Sequence, residues 1–189
     1  MQATPPRKLV YYIAMTADHY IAHDDTSIDG FPMQGQHVTD YLESLRDYDT
    51  VLMGRRTYEW GFQFGIEPGQ PAPTYGHMMQ YVFSQSMQEY DHEQLKVIRD
   101  NPADFVKTLK AEEGGSIYLC GGGKLAGHLF NAGLVVELIL KVNPVVYGQG
   151  IPLLDGVATT APLTLLKSTA YKSGVIFLHY ALAPSPADA

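Results

Sequence analysis

Cysteine is nearly absent from this 189-residue chain, with Cys120 its one thiol. A single cysteine excludes an intrachain disulfide and a CxxC-type zinc site, and it suits a reducing compartment, so a cytoplasmic location is expected. Long apolar runs are missing too. Leu9 to Met15 is far too short to span a bilayer, and Leu134 to Val146 is interrupted by Glu137, Lys141 and Pro144, so no membrane partner is expected. Positive charge is scarce. The 13 Lys and Arg against 20 Asp and Glu leave a net charge of −7, and nucleic-acid binding, which rests on many cation–phosphate contacts, is not expected either. The patterns GxSxG, HExxH and the P-loop do not occur, so the common hydrolase and P-loop mechanisms lack support.

What is present is an apolar content of 46% with 17% charged residues, enough for a substantial core. The length suits one domain over residues 1–189, with an ordered core over residues 8 to 182 and a frayed tail from Ala183 to Ala189. The β-branched and aromatic run Leu9 to Met15 predicts a strand buried on both faces. An irregular acidic segment, Asp18 to Gly35, follows. Val38, Tyr41, Leu42 and Leu45 recur at helical spacing. Val51-Leu52-Met53 reads as a short strand ending at Gly54. Gly61 to Gly76, with four Gly and three Pro, reads as a long loop. Tyr81 to Phe83 and Leu95 to Ile98 are further strands. Asn101-Pro102-Ala103-Asp104 is a helix start, with Phe105, Val106 and Leu109 inward. Ser116 to Cys120 is a strand, Gly121-Gly122-Gly123 a turn, and Leu125, Leu129 and Phe130 the inner face of a short helix. Val135 to Val142, Leu163 to Tyr171 and Val175 to Leu182 complete the strands, the last two as a hairpin across Lys172-Ser173-Gly174. Strand–helix alternation followed by terminal strands predicts a mostly parallel α/β sheet with an antiparallel edge.

Between residues 9 and 95 the cations are Arg46, Arg55 and Arg56 alone. The adjacent pair sits at a strand-to-helix turn, Gly54-Arg55-Arg56-Thr57, where glycine permits close backbone approach and guanidinium forks match phosphate oxygens. Gly121-Gly122-Gly123 is a second strand-to-helix turn able to cradle a pyrophosphate. It is not a Rossmann fingerprint, because Ala126 stands where the last Gly would be. Together the two turns suit a ligand with a diphosphate and a separate phosphate, such as NADPH. Each also has a plainer reading, as solvated arginines and as a tight turn. The acidic loop with His19 and His23 has metal-ligand chemistry, but its i,i+4 spacing aligns both rings only on a helix, and no metal site is expected. Cys120 reads as a packed small hydrophobe. Tyr58, Trp60, Phe62 and Phe64 suit either a lid over a flat heterocycle or packing under the loop.

Four blocks then carry a resemblance. Ile13 to Ala22 resembles the opening strand and loop of the dihydrofolate reductase superfamily. Val51 to Glu59 is similar to its arginine–threonine cofactor motif, and Cys120-Gly121-Gly122-Gly123 with Leu125 to its glycine turn. Gly133 to Leu138, Pro144 and Gly148 to Leu153 resemble the bacterial branch related to the reductase domain of riboflavin biosynthesis. The resemblance implies a dihydrofolate reductase-like fold, with helices on both faces of the central sheet. It implies an NADPH-dependent reductase acting on a small nitrogen heterocycle or ribosylaminopyrimidine, and a homodimer. The alternatives are a dihydrofolate or pteridine reductase and a non-catalytic nucleotide-binding module.

Carried over by position, Ala14 meets the nicotinamide carboxamide, and Ile21 and Ala22 flank the nicotinamide. Gly54, Arg55, Arg56 and Thr57 hold the adenosine-side phosphates, and Ser84 and Gln85 line the adenosine site. Gly121, Gly122, Gly123, Lys124 and Leu125 take the pyrophosphate. This chain departs from the pattern at His19, where an Asp-Gly turn is usual, at Gln85, where Arg is common, and at Gly30-Phe31, in place of Asp-Trp. The catalytic acid stays open between Asp29 and Asp40. Asp29 lies on the loop. At about 100° per residue Asp40 falls about 160° from the centre of the helical stripe, which points it to solvent.

Overall fold

The computed structural model describes residues 5–183. Ten strands and four α-helices follow in chain order. They are β1 (Leu9–Thr16), β2 (Tyr20–Ala22), α1 (Gln36–Ser44), β3 (Tyr48–Gly54), α2 (Arg55–Trp60), β4 (Met79–Phe83), β5 (Leu95–Ile98), α3 (Pro102–Ala111), β6 (Ser116–Gly121), α4 (Gly123–Asn131), β7 (Glu137–Asn143), β8 (Ile151–Pro152), β9 (Leu163–Ala170) and β10 (Ile176–Leu182). Eight of the strands form one sheet in the order β5-β4-β3-β6-β1-β7-β10-β9. The pairs from β5 through β7 are parallel, while β10 runs antiparallel to both β7 and β9.

β1 sits between β6 and β7, and its apolar run buries both faces, as a central parallel strand must. One face carries Leu9, Tyr11, Leu119 and Leu138 beneath α3 and α4. The other carries Val10, Tyr12, Val51, Met53 and Tyr118, covered by Leu45 after α1, by Tyr58 of α2, and by Met78 and Met87. α3 starts as its sequence dictates: the Asn101 side chain accepts from the Ala103 and Asp104 amides, with Pro102 in the first position.

The two-stranded β2–β8 pair lies outside the sheet and was not legible as strands in the sequence. It is positioned by backbone and side-chain ties. Leu153 N donates to His19 O at 2.9 Å, and the Tyr11 hydroxyl donates to Leu153 O at 2.9 Å. The Asp18 carboxylate accepts from the Tyr147 amide at 3.2 Å and the Gly148 amide at 2.7 Å, joining the turn after β1 to the segment after β7. A Thr16 hydrogen bond and these amides hold its pKa down to about 2. His19 adopts φ 68°, so the turn keeps the left-handed shape that glycine would take.

The helical stripe on α1 splits. Leu45 is buried and Tyr41 partly so, whereas Val38 and Leu42 overhang the cleft described below, with Leu42 49% exposed. His37, which the periodicity did not single out, is 1% exposed. Its Nε2 donates to Pro32 O at 3.0 Å, and its Nδ1 lies 3.2 Å from Ser173 Oγ. Asp40 departs from expectation. It is half-buried rather than solvated, and it accepts from Gln36 Nε2 and from the Tyr171 hydroxyl, each at 2.7 Å. The β9–β10 hairpin crosses Lys172-Ser173-Gly174 as predicted, and packs Tyr171 close enough to reach that face of α1. Residues from Pro184 onward, most of the expected tail, lie outside the described ones.

Candidate functional site

β3 and β6 are neighbours, and their register sets Met53 opposite Gly121, so the turns leaving both strands emerge side by side. A Cβ at Gly54 would stand 3.8 Å from the Gly122 nitrogen and 3.9 Å from the Gly121 carbonyl oxygen. Thr57 Oγ1 lies 3.6 Å from the corresponding Cβ position at Gly122, and Ile21 Cδ1 reaches the same point at 3.8 Å. The arginine turn, the glycine turn and β2 therefore meet.

α4 opens on Gly122, with no side chain capping its first amides, so those donors remain available to an anion. Glycine is required along the inner side of α4 for a different reason. A Cβ at Gly123 would come within 2.2 Å of Pro152 O, and one at Gly127 within 1.9 Å of Asp155 O. The segment after β8 lies flush against the helix.

These elements wall a cleft of about 880 Å³, within the usual size range of ligand sites. Of the residues named from sequence, Ala14, Ile21, Ala22, Gly54, Arg55, Arg56, Thr57, Gly122, Gly123, Lys124 and Leu125 line it. Gly121 is buried just behind the wall. Ser84 and Gln85 do not line it. Ser84 Oγ accepts from the Ser86 and Met87 amides, building the turn, and Gln85 Nε2 donates to Arg99 O. Arg55 reaches that turn instead, with Nη1 3.2 Å from Ser86 Oγ and Nε 3.7 Å from Glu59. Among the described residues the Arg56 side chain has no hydrogen-bond or ion-pair partner, and it also borders a smaller cavity with Thr26, Glu59, Trp60 and Gln63.

Neither acid candidate reaches the cleft wall. Asp29 is exposed, and its backbone carbonyl accepts from the Tyr147 hydroxyl at 2.7 Å. Asp40 faces Tyr171, on the far side of α1 from Val38 and Leu42. The lining carboxylates are Asp24, exposed on the loop after β2, and Asp155, beside α4.

The end of the cleft beneath α1 has an aromatic floor that sequence reasoning missed. Tyr12, Tyr41, Tyr75, Tyr118 and Cys120 line it. Tyr41 Oη lies 3.2 Å from Tyr118 Oη and 3.4 Å from Tyr75 Oη, and Tyr75 Oη is 3.5 Å from Cys120 Sγ. Burial pushes Tyr41 up to about 12, Tyr75 and Tyr118 well above the ordinary tyrosine value, and the Cys120 thiol up as well. These groups stay protonated across the physiological range. With Tyr12, the floor draws on β1, α1, the segment before β4, and β6, so no spacing could have joined its residues. Alternation on β1 and β6 places Tyr12 with Ala14, and Tyr118 with Cys120, on one face, and that was the available signal.

The aromatic run after β3 divides. Tyr58 is buried, with its hydroxyl hydrogen-bonded to Gly69 N and Gln70 O, and Phe62 packs edge-on to it at 5.3 Å. Trp60 and Phe64 line the cleft, 4.7 Å apart. Phe64 and Met33 are 62% and 59% exposed, giving the mouth an apolar rim. Phe31 also lines the cleft, stacked 5.8 Å from Tyr147, and His23 stacks on Tyr147 at 3.7 Å. Among the described residues no three His, Cys, Asp or Glu side chains converge as a metal-binding group, and no helix is long and apolar enough to cross a membrane.

A parallel sheet with an antiparallel edge hairpin, and a cleft where two strand-to-helix turns meet, define a domain of the dihydrofolate reductase type. The sequence profile of the RibD C-terminal domain matches residues 7–177, and the chain belongs to that family. Two Bacillus subtilis (strain 168) proteins are similar over nearly their whole length. YwjB, described as uncharacterized, is 34% identical over 94% of this chain and 99% of its own, and YyaP, described likewise, 31% identical over 92% and 94%. Among solved structures, a putative riboflavin biosynthesis protein from Shewanella sp. PV-4 superposes with a TM-score of 0.78 at 20% identity, covering 93% of this chain and 99% of the other. The Thermotoga maritima diaminohydroxyphosphoribosylaminopyrimidine deaminase/5-amino-6-(5-phosphoribosylamino)uracil reductase gives 0.70 at 12%, covering 94% of this chain and 57% of that one. Dihydrofolate reductase from Enterococcus faecalis, complexed with NADP(H), gives 0.65 at 13%, covering 93% and 96%. These likenesses establish the shared fold.

Proposed function

We propose that this protein is an NADPH-dependent reductase that delivers hydride to a small, flat nitrogen heterocycle or its ribosylamino derivative. The observation that carries this reading is the meeting of the Gly54–Arg55 turn with the Gly121–Gly122 turn in one cleft. The residues fit the dinucleotide. α4 offers uncapped amides and Lys124 for a pyrophosphate, Arg55 and Arg56 offer guanidinium forks for a further phosphate, and Ala14 with Ile21 form an apolar seat for a planar ring. When bound, the cofactor supplies the hydride. The chain's own residues hold the reactants face to face, and the apolar rim of Met33, Leu42 and Phe64 restricts water.

A folate-type reduction that relies on a buried carboxylate is disfavoured, because Asp29 and Asp40 lie off the cleft wall. NADPH consumption followed at 340 nm over ribosylaminopyrimidines, dihydrofolate and pteridines tests the reading. Turnover of an aminopyrimidine is expected. NADPH binding without turnover of any of them would make the protein a nucleotide-binding module instead, and dihydrofolate turnover would show that a donor other than those acids suffices.

We further propose a homodimer formed through the edge hairpin. β9 is exposed along nearly its whole length, and Leu163, Leu165, Leu166 and Ile176 leave apolar surface there. Sedimentation of Leu165→Glu, Leu166→Glu should show a monomer where the parent chain is a dimer. An unchanged mass would move the interface elsewhere.

A further inference from the structure

We infer that Lys141 is the recognition cation of the cleft, and that it selects a planar ring presenting a carbonyl or anionic oxygen over one presenting a row of N–H donors. Lys141 lies within β7, in register with Ala14 of β1 and Phe177 of β10. Alternation along the strand sets it on the sheet face of Ile139, Tyr12 and Phe177, beneath α1, and it lines the cleft.

Its ammonium is poorly satisfied by protein. Lys141 is half-buried, and its Nζ makes one long hydrogen bond, 3.3 Å to Pro32 O, an acceptor that His37 Nε2 already uses at 3.0 Å. An ammonium carries three donors. Among the described residues no carboxylate lies within ion-pair distance of it. Burial lowers its pKa, as expected for a half-buried cation without a counter-charge. Lys110 provides the contrast. It too is half-buried, but it gives a short 2.8 Å bond to Leu134 O and does not face the cleft.

The surroundings set the sign of the missing partner. The neighbouring floor is phenolic, with the Tyr41, Tyr75 and Tyr118 hydroxyls already engaged with one another and with Cys120. Asp24 is at the exposed loop, and Asp155 is beside α4, where its amide donates to Gly123 O at 3.1 Å. A ligand oxygen that accepts from Lys141 supplies what the protein omits. A diaminopyrimidine or protonated pterin edge would instead set its N–H groups against an ammonium with no carboxylate to receive them. Because Ala14 is the register partner of Lys141, the recognised oxygen falls beside the nicotinamide seat. That last step rests on the reductase reading, whereas the selectivity does not.

The test uses the full-length protein and two probes, barbiturate (an anionic pyrimidine trione at neutral pH) and 2,4-diaminopyrimidine, titrated by protein-observed NMR. The unmodified chain should prefer barbiturate by about tenfold or more, the effect of one charge-assisted hydrogen bond. Lys141→Met, which keeps the apolar stem, should lose that preference, Lys141→Arg should retain most of it, and Lys110→Met should leave it unchanged. Equal affinity for the two probes, preference for the diamine, no saturable barbiturate binding, or undiminished preference in Lys141→Met would each overturn the assignment. The wild-type ratio needs no variant to fold. NADPH fluorescence on the same samples separates the two ideas. Selectivity without NADPH binding overturns the reductase reading alone, and NADPH binding without selectivity overturns the Lys141 assignment alone.

Discussion

If the cleft takes NADPH as proposed, removing the Arg55 guanidinium should cut its affinity for NADPH far more than its affinity for NADH. Arg55 is exposed, and its protein contacts are weak: 3.7 Å to Glu59 and 3.2 Å to Ser86 Oγ. Exposed i,i+4 ion pairs contribute only about 0.3–0.5 kcal/mol, so Arg55→Ala should fold with nearly unchanged stability. Its contact with Ser86 aims it at the turn after β4, the adenosine side of the proposed site. A hydrogen bond between a guanidinium and a phosphate contributes about 1.5–3 kcal/mol, and at about 1.4 kcal/mol per decade that corresponds to a roughly 10- to 150-fold rise in Kd for NADPH. NADH lacks the extra phosphate and should lose less than about threefold. Arg56 borders both the main cleft and the side cavity and has no protein partner among the described residues, so Arg55→Ala with Arg56→Ala should weaken NADPH further. Fluorescence titration of both cofactors at low and moderate salt reads the two affinities, and the NADPH advantage should shrink with salt because the site is solvent-facing. Equal losses for NADPH and NADH in Arg55→Ala would refute the phosphate assignment, whatever the absolute affinities.

Three further outcomes follow from packing, backbone conformation and charge. Gly127→Ala would place a methyl 1.9 Å from Asp155 O, a contact relieved only by moving α4 or the segment after β8. Overpacking of this kind costs about 1–3 kcal/mol, or roughly 2–12 °C in Tm for a chain of this size, and calorimetry should find that loss with weakened NADPH binding. His19→Gly relieves a φ of 68° that a histidine adopts at a cost, and should raise stability by up to about 1 kcal/mol in urea unfolding; a loss would mean that the ring has a contact worth more than the strain. Burial opposes the Glu137 carboxylate, but hydrogen bonds from Lys8 at 2.8 Å and His179 at 2.7 Å outweigh it and leave its pKa below the ordinary value. A carboxylate depressed in the folded state contributes stability that is present above its unfolded pKa, about 4.3, and is lost as pH falls through the folded value. Urea melts from neutral pH down through that window should therefore show a shallower acid loss in Glu137→Gln than in the parent chain.

Local chemistry made much of the fold legible. β1 reads as a buried strand because a continuous β-branched and aromatic run has no solvent face to offer, and it lies between two parallel neighbours. α3 starts at Asn101-Pro102 because a side-chain acceptor and a missing N–H satisfy a helix terminus whatever the rest of the chain does. Arg55-Arg56 and Gly121-Gly122-Gly123 stood out as strand-to-helix turns for the same reason, since their conformational demands are local. The short β2–β8 pair was hidden because its three and two residues form strands only when brought against each other.

Periodicity found the apolar stripe of α1 but not where it would be spent, since helical spacing cannot tell a core face from the roof of a cleft. Asp40 was expected in solvent from helical spacing alone, which cannot register Tyr171, brought to it by the sequence-distant β9–β10 hairpin. Ser84 and Gln85 were placed at the cofactor by position alone, whereas the Ser84 side chain holds its own turn and that of Gln85 ties this turn to Arg99 O after β5. Sequence by itself determined the eight strands of the main sheet, the capped helix and the two strand-to-helix turns, because each depends on neighbours a few residues away. Tertiary structure alone decided that those turns share one cleft, that four distant tyrosines floor it, and that Lys141 faces it with no counter-charge among the described residues, because register across a sheet is set by the packing of the whole chain.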